Sequence, residues 1–492
     1  MAYNHGVKVS EVPTSILPPV EATAGIPFIV GTAPVNMTGA GNVNKPVLCY
    51  SYDEAVKAFG FVPPKEDTAT GLKKFEYSIC EFIHSQFALF GVAPVIIVNV
   101  LDPATHKKTA ETNSITLDAK TGSATIAETG VLPDSVTITG SGEAYVSGTD
   151  YVVSFDEDGF LVVSSLKNEE GEYRCTTGVA MTLSAEKVDP TMVTAEDVVG
   201  GVDTNGNKSG FELINECFHR FRVVPGILLA PGFSSQATVA AIMAAKAANI
   251  DSAFTAISLV DIPLDSQDYT KAVTWKNTNY IADSKQICCC PLISLDGVIY
   301  HMSTQLAGLM GKTDSENDDV PYVSPSNKNL QMTATVLTDG SELWLDSEKA
   351  AYLNEHGIVT AINFIGGWVS WGNRTACYPT VTDVKESFIP IRRMFSWIGN
   401  NLIQTFWQNV DAPLNRRQID RIVDSANMWL NGLTARQYIS GGRVEFLDSE
   451  NPTDELMDGK AVFHVYITPP SPNREIDFVL EYDPSYLQTL FE

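Results

Sequence analysis

The sequence is short of basic residues and of cysteines. Its 492 residues contain 33 Lys and Arg against 59 Asp and Glu, which gives a formal net charge of −26. A chain with this excess of acids is poorly suited to neutralise nucleic-acid phosphates or the anionic surface of a membrane. We therefore expect no direct contact with nucleic acid or membrane. The eight cysteines include no Cys-x-x-Cys pair, which is typical of reduced thiols in the cytosol and excludes a disulfide scaffold.

Long apolar runs are also missing. The strongly apolar stretches, such as 92–100 and 226–230, are far shorter than the ~20 residues that span a bilayer. The opening segment MAYNHGVKVSEV has no apolar run of the kind that a secretion signal needs. We expect neither a transmembrane segment nor secretion.

The motifs of common catalytic sites are absent as well. There is no G-x-S-x-G for a nucleophile elbow and no H-E-x-x-H for zinc. Segments 201–209 and 306–313 come close to a phosphate loop but misplace its glycines. Three consecutive cysteines, 288–290, would alternate between the faces of a strand and could not converge on one metal. We predict no enzyme, no cofactor and no metal site, and keep a soluble α/β hydrolase or nucleotide enzyme as the alternative.

The hydrophobic pattern predicts an α/β plus β fold. Strands alternate with helices over residues 26–101 and 198–390, which indicates a mainly parallel sheet in a discontinuous α/β domain. One predicted helix carries Leu72, Phe75, Ile79, Phe82 and Phe90 on a single apolar face. Between the two parts, residues 102–197 have the two-residue periodicity of an inserted antiparallel β-domain. Residues 101–200 contain 17 acids and 6 bases, so we place this insertion on an outer surface.

The last hundred residues, 391–492, follow a different pattern. Amphipathic helices are predicted at 391–407 and 415–433, and strands at 462–467 and 475–482, which together indicate an α+β domain. At the other end, residues 1–25 form an extended arm because prolines 13, 18 and 19 prevent a tight hairpin.

Two predicted strands have no partner nearby in the sequence. The first is 6–12, and the second is 475–482, in which apolar residues occupy every second position so that one face is apolar. An apolar strand without a local partner must pair elsewhere, and adding it to the sheet of a neighbouring subunit is one solution. The residues that we assign to such strand exchange are Val7, Val9, Val12, Ile476, Phe478, Leu480 and Tyr482.

Arginine is concentrated near the C-terminus. Residues 391–445 contain seven Arg, no Lys and four acids, and the second amphipathic helix presents Arg416, Arg417 and Arg421 away from its apolar stripe. In one interpretation this is a solvated face whose arginines pair with Asp420 and Asp424. In the other it docks on an acidic partner, since Arg suits interface ion pairs.

Several segments together resemble the contractile-tail sheath proteins of bacteriophages and phage-tail-like bacteriocins. They are spread over nearly the whole chain in the family's order, whereas the insertion is the least typical part. The segments are HGVKVSEVPT at 5–14, GGVD at 200–203, VVPGILLAPGFS at 223–234, YVSPSNK at 322–328, LNEHGI at 353–358, WGNRT at 371–375, IRRMF at 391–395, GGRV at 441–444 and FVLEYDP at 478–484.

The resemblance implies a subtilisin-like α/β domain used as a scaffold, and a C-terminal domain that faces a tail tube. It also implies a self-assembling subunit of stacked hexameric rings, which contract and drive the tube through a bacterial envelope. The implied partners are other copies of the chain, the tube protein, and the baseplate and tail-terminator proteins. The implied location is the tail of a virion or a bacteriocin particle, assembled in the host cytoplasm. A non-contractile tail or capsid protein is the structural alternative. A protease of this fold would need a Gly-Thr-Ser segment, which the sequence lacks.

Overall fold

The computed structural model describes residues 23–67, 70–140 and 142–491, without the side chains of 488–491. The first part of the chain forms one half of the central sheet and the helices that cover it. Its elements are β1 (Pro27–Gly31), α1 (Val35–Thr38), β2 (Val47–Cys49), α2 (Tyr52–Phe59), β3 (Lys65–Glu66), β4 (Lys73–Lys74), α3 (Ser78–Ile83), which continues as a π-helix (His84–Phe90), and β5 (Val95–Asn99).

The next part consists of short strands. They are β6 (Lys107–Thr109), β7 (Ser114–Thr116), β8 (Ser123–Thr129), β9 (Thr137–Gly140), β10 (Glu143–Tyr145), β11 (Tyr151–Phe155), β12 (Phe160–Ser165), β13 (Ala180–Ser184) and β14 (Glu186–Val188).

The chain then returns to alternating helices and strands. These elements are α4 (Ala195–Val199), α5 (Cys217–Phe221), β15 (Ile227–Leu229), α6 (Ala237–Ala248), β16 (Ile257–Asp261), α7 (Thr270–Thr278), β17 (Gln286–Cys289), β18 (Leu292–Leu295), β19 (Val298–Tyr300), α8 (Met302–Ser315), β20 (Ala334–Val336), α9 (Ser347–Glu355), β21 (Ile358–Phe364) and β22 (Gly367–Trp371).

The C-terminal part contains the longest helices. Its elements are α10 (Val384–Ser387), α11 (Ile389–Phe406), α12 (Arg416–Ala435), β23 (Gly441–Glu445), α13 (Thr453–Met457) and β24 (His464–Thr468), followed by a 3-10 helix (Pro484–Phe491).

An eight-stranded sheet forms the centre of the molecule, in the order β2-β5-β1-β15-β16-β17-β21-β22. The six inner strands are parallel, and the two edge strands are antiparallel to their neighbours. Every residue of β1, β5 and β16 is buried, as expected for parallel strands that helices cover on both faces. The predicted mixed α/β architecture is therefore present.

The predicted helix over Leu72–Phe90 is wrong at its start. Lys73 and Lys74 form β4, which pairs with β3 and β19, and the helix begins only at Ser78. The backbone N–H of Lys73 donates to the carbonyl of Gly297 at 2.7 Å. Tertiary pairing takes the backbone groups that a longer helix would need, and Phe75 packs against the core from outside the helix.

The short strands of residues 107–188 have a hydrophobic core of their own. Ile126, Ile138, Leu161 and Leu183 lie in it, among other residues that are nearly inaccessible. The strands pair antiparallel in sheets of four, three and two strands. Val188 and Val193 lie instead in the core beneath the central sheet. The division of the chain into domains remains a prediction.

The C-terminal helices pack on each other and on the two-stranded sheet of β23 and β24. Met394, Trp397, Leu430 and Leu433 share this small core, and the Trp397 ring lies 5.7 Å from that of Trp429. The α12 helix begins at Arg416 because the Asn415 side chain accepts a hydrogen bond from the N–H of Gln418 at 3.0 Å. This cap fixes where the arginine-rich face starts.

The structure suggests how the β-rich insertion can be removed. The N–H of Ala110 donates to the carbonyl of Ala185 at 2.9 Å, so a short Gly-Ser linker can replace residues 111–184. We expect a soluble subunit with an intact central sheet. It should lose roughly 1–3 kcal/mol, because hydrogen bonds from Asn36 to Val131 and from Thr129 to Glu76 disappear. Urea unfolding measures this loss, and an insoluble or molten product would contradict an independent insertion.

Candidate functional site

The β24 strand has an open edge. The backbone N–H and C=O of Val444, its neighbour on β23, bond to the Asn427 side chain at 2.7 and 3.0 Å. The backbone groups of Val444 therefore point away from β24. In an antiparallel pair, residues that face each other either bond to each other or both point outward, and this alternates along the strands. Because Val465 lies opposite Val444 and Ile467 is two residues further on, the backbone groups of Val465 and Ile467 point away from β23. The sheet contains only these two strands in the described part of the chain. The strand carries no proline and no Lys, Glu or Asp that would protect such an edge.

The predicted strand at 475–482 is not formed within the subunit. Residues 469–483 have neither helix nor strand structure, and Ile476, Phe478, Leu480 and Tyr482 are 64–95% exposed. A strand requires a neighbouring backbone, and the described chain supplies none here. The apolar alternation seen in the sequence is therefore left facing solvent. We call residues 475–487 the C-terminal arm.

The other strand-exchange residues, Val7, Val9 and Val12, lie outside the described residues. Their role remains a prediction from the sequence.

The three predicted surface arginines lie together at the start of α12. Arg416 pairs with Asp420 at 2.9 Å, and Arg421 donates to the Asn409 amide oxygen at 2.7 Å. Arg417 is exposed and forms no ion pair with any described residue. Of the self-paired interpretation, the structure thus has the Arg416–Asp420 pair, whereas Arg417 and Arg421 pair with neither Asp420 nor Asp424.

Exposed apolar side chains border these arginines. The loop that Asn409 belongs to exposes Trp407, Val410 and Leu414 by 68, 61 and 41%. We call this loop together with Arg416, Arg417 and Arg421 the arginine surface. Aromatic and Arg side chains are the types enriched at the energetic centres of protein interfaces, so the arrangement fits a docking face.

Two of the seven arginines serve inside the molecule. Arg392 pairs with Glu386 at 3.1 Å, and Arg393 forms a two-pronged, fully buried ion pair with Asp314 of α8. Arg393 also donates to the carbonyl of Ala24. The composition count could not separate these internal arginines from those of the surface. The sequence signal for an internal arginine was the position of Arg393 within the apolar face of α11. Nothing in the sequence identified Asp314 as its partner.

A buried polar cluster lies where the parallel strands end, the edge at which α/β sheets bind ligands. Asp261, at the end of β16, accepts from the hydroxyls of Ser234 and Ser303 at 3.1 and 2.5 Å. Glu81 accepts from the His301 N–H at 2.8 Å and lies 2.8 Å from its Nδ1. Sequence reasoning found no motif here, because the four elements involved are distant in the chain.

This cluster holds the start of α8 in place. Burial lowers the pKa of His301, but the charge and hydrogen bond of Glu81 outweigh it and raise that pKa from 6.5 to about 9. The hydroxyls of Ser234 and Ser303 both donate to Asp261. The arrangement ties the end of β16 to the start of α8 and to the loop after β15.

Other kinds of site were sought in the described residues. No group of three or more His, Cys, Asp or Glu there could hold a metal ion, and all eight cysteines are buried free thiols. No helix of the described chain has the length and apolarity to cross a bilayer.

Comparison with known proteins finds tail sheath proteins. The chain is 28% identical, over an alignment 505 positions long, to the tail sheath protein of Burkholderia phage BcepMu. The alignment covers 99% of this chain and 98% of that one. It is 24% identical over 332 residues to a putative prophage major tail sheath protein of Pseudomonas aeruginosa, covering 66% and 82%. No family model matches the sequence. The chain thus has homologues among phage and prophage tail sheath proteins, as its motifs predicted.

Solved structures agree in fold. The contracted helical sheath of the anti-feeding prophage aligns with a TM-score of 0.56 at 15% identity, over 98% of this chain and all of that one. The sheath complex of an extracellular contractile injection system, in its contracted state, aligns with a TM-score of 0.56 at 12% identity, over 99% of each.

The His301–Glu81 pair gives a pH-dependent stability. Because the pKa of His301 is about 9 in the folded chain and 6.5 as its ordinary value, its stabilisation is complete below pH 6.5 and is lost as the pH rises through 9. Urea unfolding of the unassembled subunit should show His301→Gln roughly 2–3 kcal/mol less stable than wild type at pH 6 and close to it at pH 10. The control is His356→Gln, at a histidine whose ring nitrogen lies 2.8 Å from the Tyr352 carbonyl and not against a carboxylate. A difference from wild type that does not change with pH would contradict this role.

Proposed function

We propose that this chain, a homologue of phage and prophage tail sheath proteins, is the structural subunit of a contractile tail sheath. Copies polymerise as stacked hexameric rings around a tail tube, and the contraction of the rings drives the tube through a bacterial envelope. The observation that carries the proposal is the similarity to a phage tail sheath protein over 99% of the chain. The open edge of β24 and the exposed C-terminal arm support it, because both offer backbone groups that can pair with a strand of a second copy.

Strand exchange joins the subunits in this proposal. The arm of one copy, through Ile476, Phe478, Leu480 and Tyr482, and the N-terminal strand with Val7, Val9 and Val12 add to sheets of neighbouring copies. The edge of Val465 and Ile467 is the acceptor, since its outward backbone groups have no partner strand among the described residues. Many hydrogen bonds of such a strand must break together, so the links can survive contraction.

The arginine surface faces the tube. It is a basic, apolar-bordered patch on a chain of net charge −26, which fits an acidic tube surface better than contact between two acidic copies. Each exposed ion pair contributes only ~0–1 kcal/mol. Repetition over many subunits makes the sum large enough to template assembly, while each subunit can still detach as the sheath shortens.

The remaining parts follow from the same proposal. The α/β domain has the subtilisin-like arrangement but acts as a scaffold without catalysis or cofactor, in keeping with the structural role of its relatives. Baseplate and tail-terminator proteins hold the two ends of the polymer, and nucleic acid and membrane are not contacted directly. The protein functions in the tail of a phage or bacteriocin particle after assembly in the host cytoplasm.

Gel filtration and negative-stain electron microscopy of the purified chain test the proposal. We expect rings or long tubes. If the polymer contracts, the tubes should show two different axial spacings between successive rings. A compact monomer at every concentration would contradict it, and tubes of one invariant geometry would favour a non-contractile tail protein.

Blocking the β24 edge should prevent polymerisation. Ile467→Pro removes the outward N–H, while Ile467→Ala loses the same side-chain packing but keeps that group. We expect both variants to fold, the alanine variant to form polymers and the proline variant to remain a subunit, by sedimentation and microscopy. Intact tubes from the proline variant would exclude this edge.

Deleting residues 1–20 should likewise leave a soluble subunit without polymers. Tubes from the truncated chain would exclude strand donation at that end.

Reversing charge on the arginine surface should abolish assembly on tubes. Arg417→Glu with Arg421→Glu places two carboxylates on the proposed contact, so co-sedimentation with purified tail tubes should disappear. Wild-type binding should weaken as salt rises. The matched control is Lys120→Glu with Lys271→Glu, an equal charge change at exposed sites elsewhere. Unchanged binding by the arginine variant, at low and high salt, would contradict the docking role.

A further inference from the structure

A cleft of about 780 Å³ lies beside the root of the C-terminal arm. One wall is formed by residues 470–474, which follow β24. The opposite walls belong to the central α/β region, from the segment before β20, the end of α9 and the loop after β22. The charged side chains that line it are three cations and one carboxylate, namely Lys328, Arg374, Arg474 and Glu355.

Arg374 is held rigidly in the wall of this cleft. Its guanidinium lies 3.7 Å from the ring centre of Phe388 and 4.4 Å from that of Tyr378, and its Nη1 donates to the Ser387 hydroxyl at 2.7 Å. Stacking between two rings fixes the plane of the guanidinium and leaves the rest of its donors oriented. Such a preorganised fork suits a carboxylate.

No carboxylate of the described residues neutralises the charge of Arg374, because none lies within ion-pair distance of it. Burial lowers the pKa of Arg374, and the nearby charge of Arg474 lowers it further. Lys328, which also lines the cleft, is exposed and likewise forms no ion pair with a described residue. The cleft therefore offers an uncompensated positive site on an acidic chain.

The C-terminal arm has the complementary chemistry. Residues 475–492 contain five acids and no Lys or Arg. The apolar residues of the arm alternate with these acids and are largely exposed, including Phe478 at 85% and Leu480 at 95%. The arm leaves the wall at Arg474, whose own partner is Glu475 at 2.9 Å. Because the arm stays exposed, it does not fill the cleft of its own subunit.

We propose that the cleft is a carboxylate-binding site for the acidic C-terminal arm of a second copy of the chain. Arg374 and Lys328 bind acidic side chains of the incoming arm. The contact is head to tail, so each copy offers both an arm and a cleft, and repetition builds an open polymer. The inference rests on the proposed function and adds to it a site distinct from the β24 edge. The edge pairs backbone with backbone, whereas the cleft selects the arm by its charge.

Zero-length cross-linking tests the contact in the full-length protein. A carbodiimide joins a carboxylate to an amine with loss of water, and Lys328 supplies the only amine among the charged groups of the cleft. Polymers should be assembled from equal amounts of 14N- and 15N-labelled chains, cross-linked and analysed by mass spectrometry. We expect mixed-isotope peptide pairs that join Lys328 to Glu475, Asp477, Glu481 or Asp483, and none from unassembled subunits.

Substitutions separate charge recognition from folding. The critical concentration for assembly should rise about tenfold for Arg374→Gln and less for Arg374→Lys, which keeps the charge but loses the fork. Lys57→Glu, at an exposed residue of α2, should leave it unchanged, and thermal unfolding shows whether each subunit is folded. Lys328→Gln, at an exposed residue, should remove the cross-link without loss of stability.

The outcomes are distinguishable. Polymers in which Lys328 is never linked to the arm, or is linked only within one isotope, would overturn the cleft contact and leave the proposed function standing. Absence of any polymer from the wild-type chain would overturn the proposed function, and the cleft contact with it.

Discussion

The buried ion pair between Arg393 and Asp314 fixes how the parts of this subunit are joined. It links α11 to the end of α8, and Arg393 also holds the carbonyl of Ala24 just before β1. A Cβ on Gly25 would lie 3.1 Å from an Asp314 carboxylate oxygen and 3.3 Å from the Gly311 Cα, so any larger residue there would force its neighbours to shift. Removing one member of such a pair costs about 3–5 kcal/mol, because a charge is left buried without its partner. The C-terminal region and the central sheet are thus held together at a point where little adjustment is possible.

Away from that rigid junction, the surface carries backbone groups without a partner strand and charged groups without a partner charge among the described residues. The edge of Val465 and Ile467, the exposed arm, the arginine surface and the Arg374 cleft all lie in or beside the C-terminal part. Each lacks a complement of a different kind: a strand, a sheet, an acidic surface or a carboxylate. The combination of these four features fits the assembly that the proposed function assigns to the subunit.

The sequence predicted well what depends on local periodicity. Strands and helices alternate over residues 26–101 and 198–390, antiparallel strands form within 102–197, and α11 and α12 lie where their amphipathic patterns indicated. It failed where tertiary pairing overrides pattern, as at Lys73 and Lys74. The residues 476–482 have a strand's alternation but form no strand, since no described part of the subunit lies beside them as a partner strand. The sequence did not predict the cluster of Glu81, Asp261 and His301 or the contacts of Arg374. Both join residues that are apart in the chain and carry no motif.

The central claim is that assembly completes the backbone hydrogen bonds that the subunit leaves open. Hydrogen–deuterium exchange measures this directly, at the amides of Val465 and Ile467 and of residues 476–482, before and after polymerisation. These amides should exchange quickly in the subunit and slow by at least about a hundredfold in the polymer, while β1, β5 and β16 are protected in both. Equal exchange at the β24 edge and the arm in subunit and polymer would contradict the account.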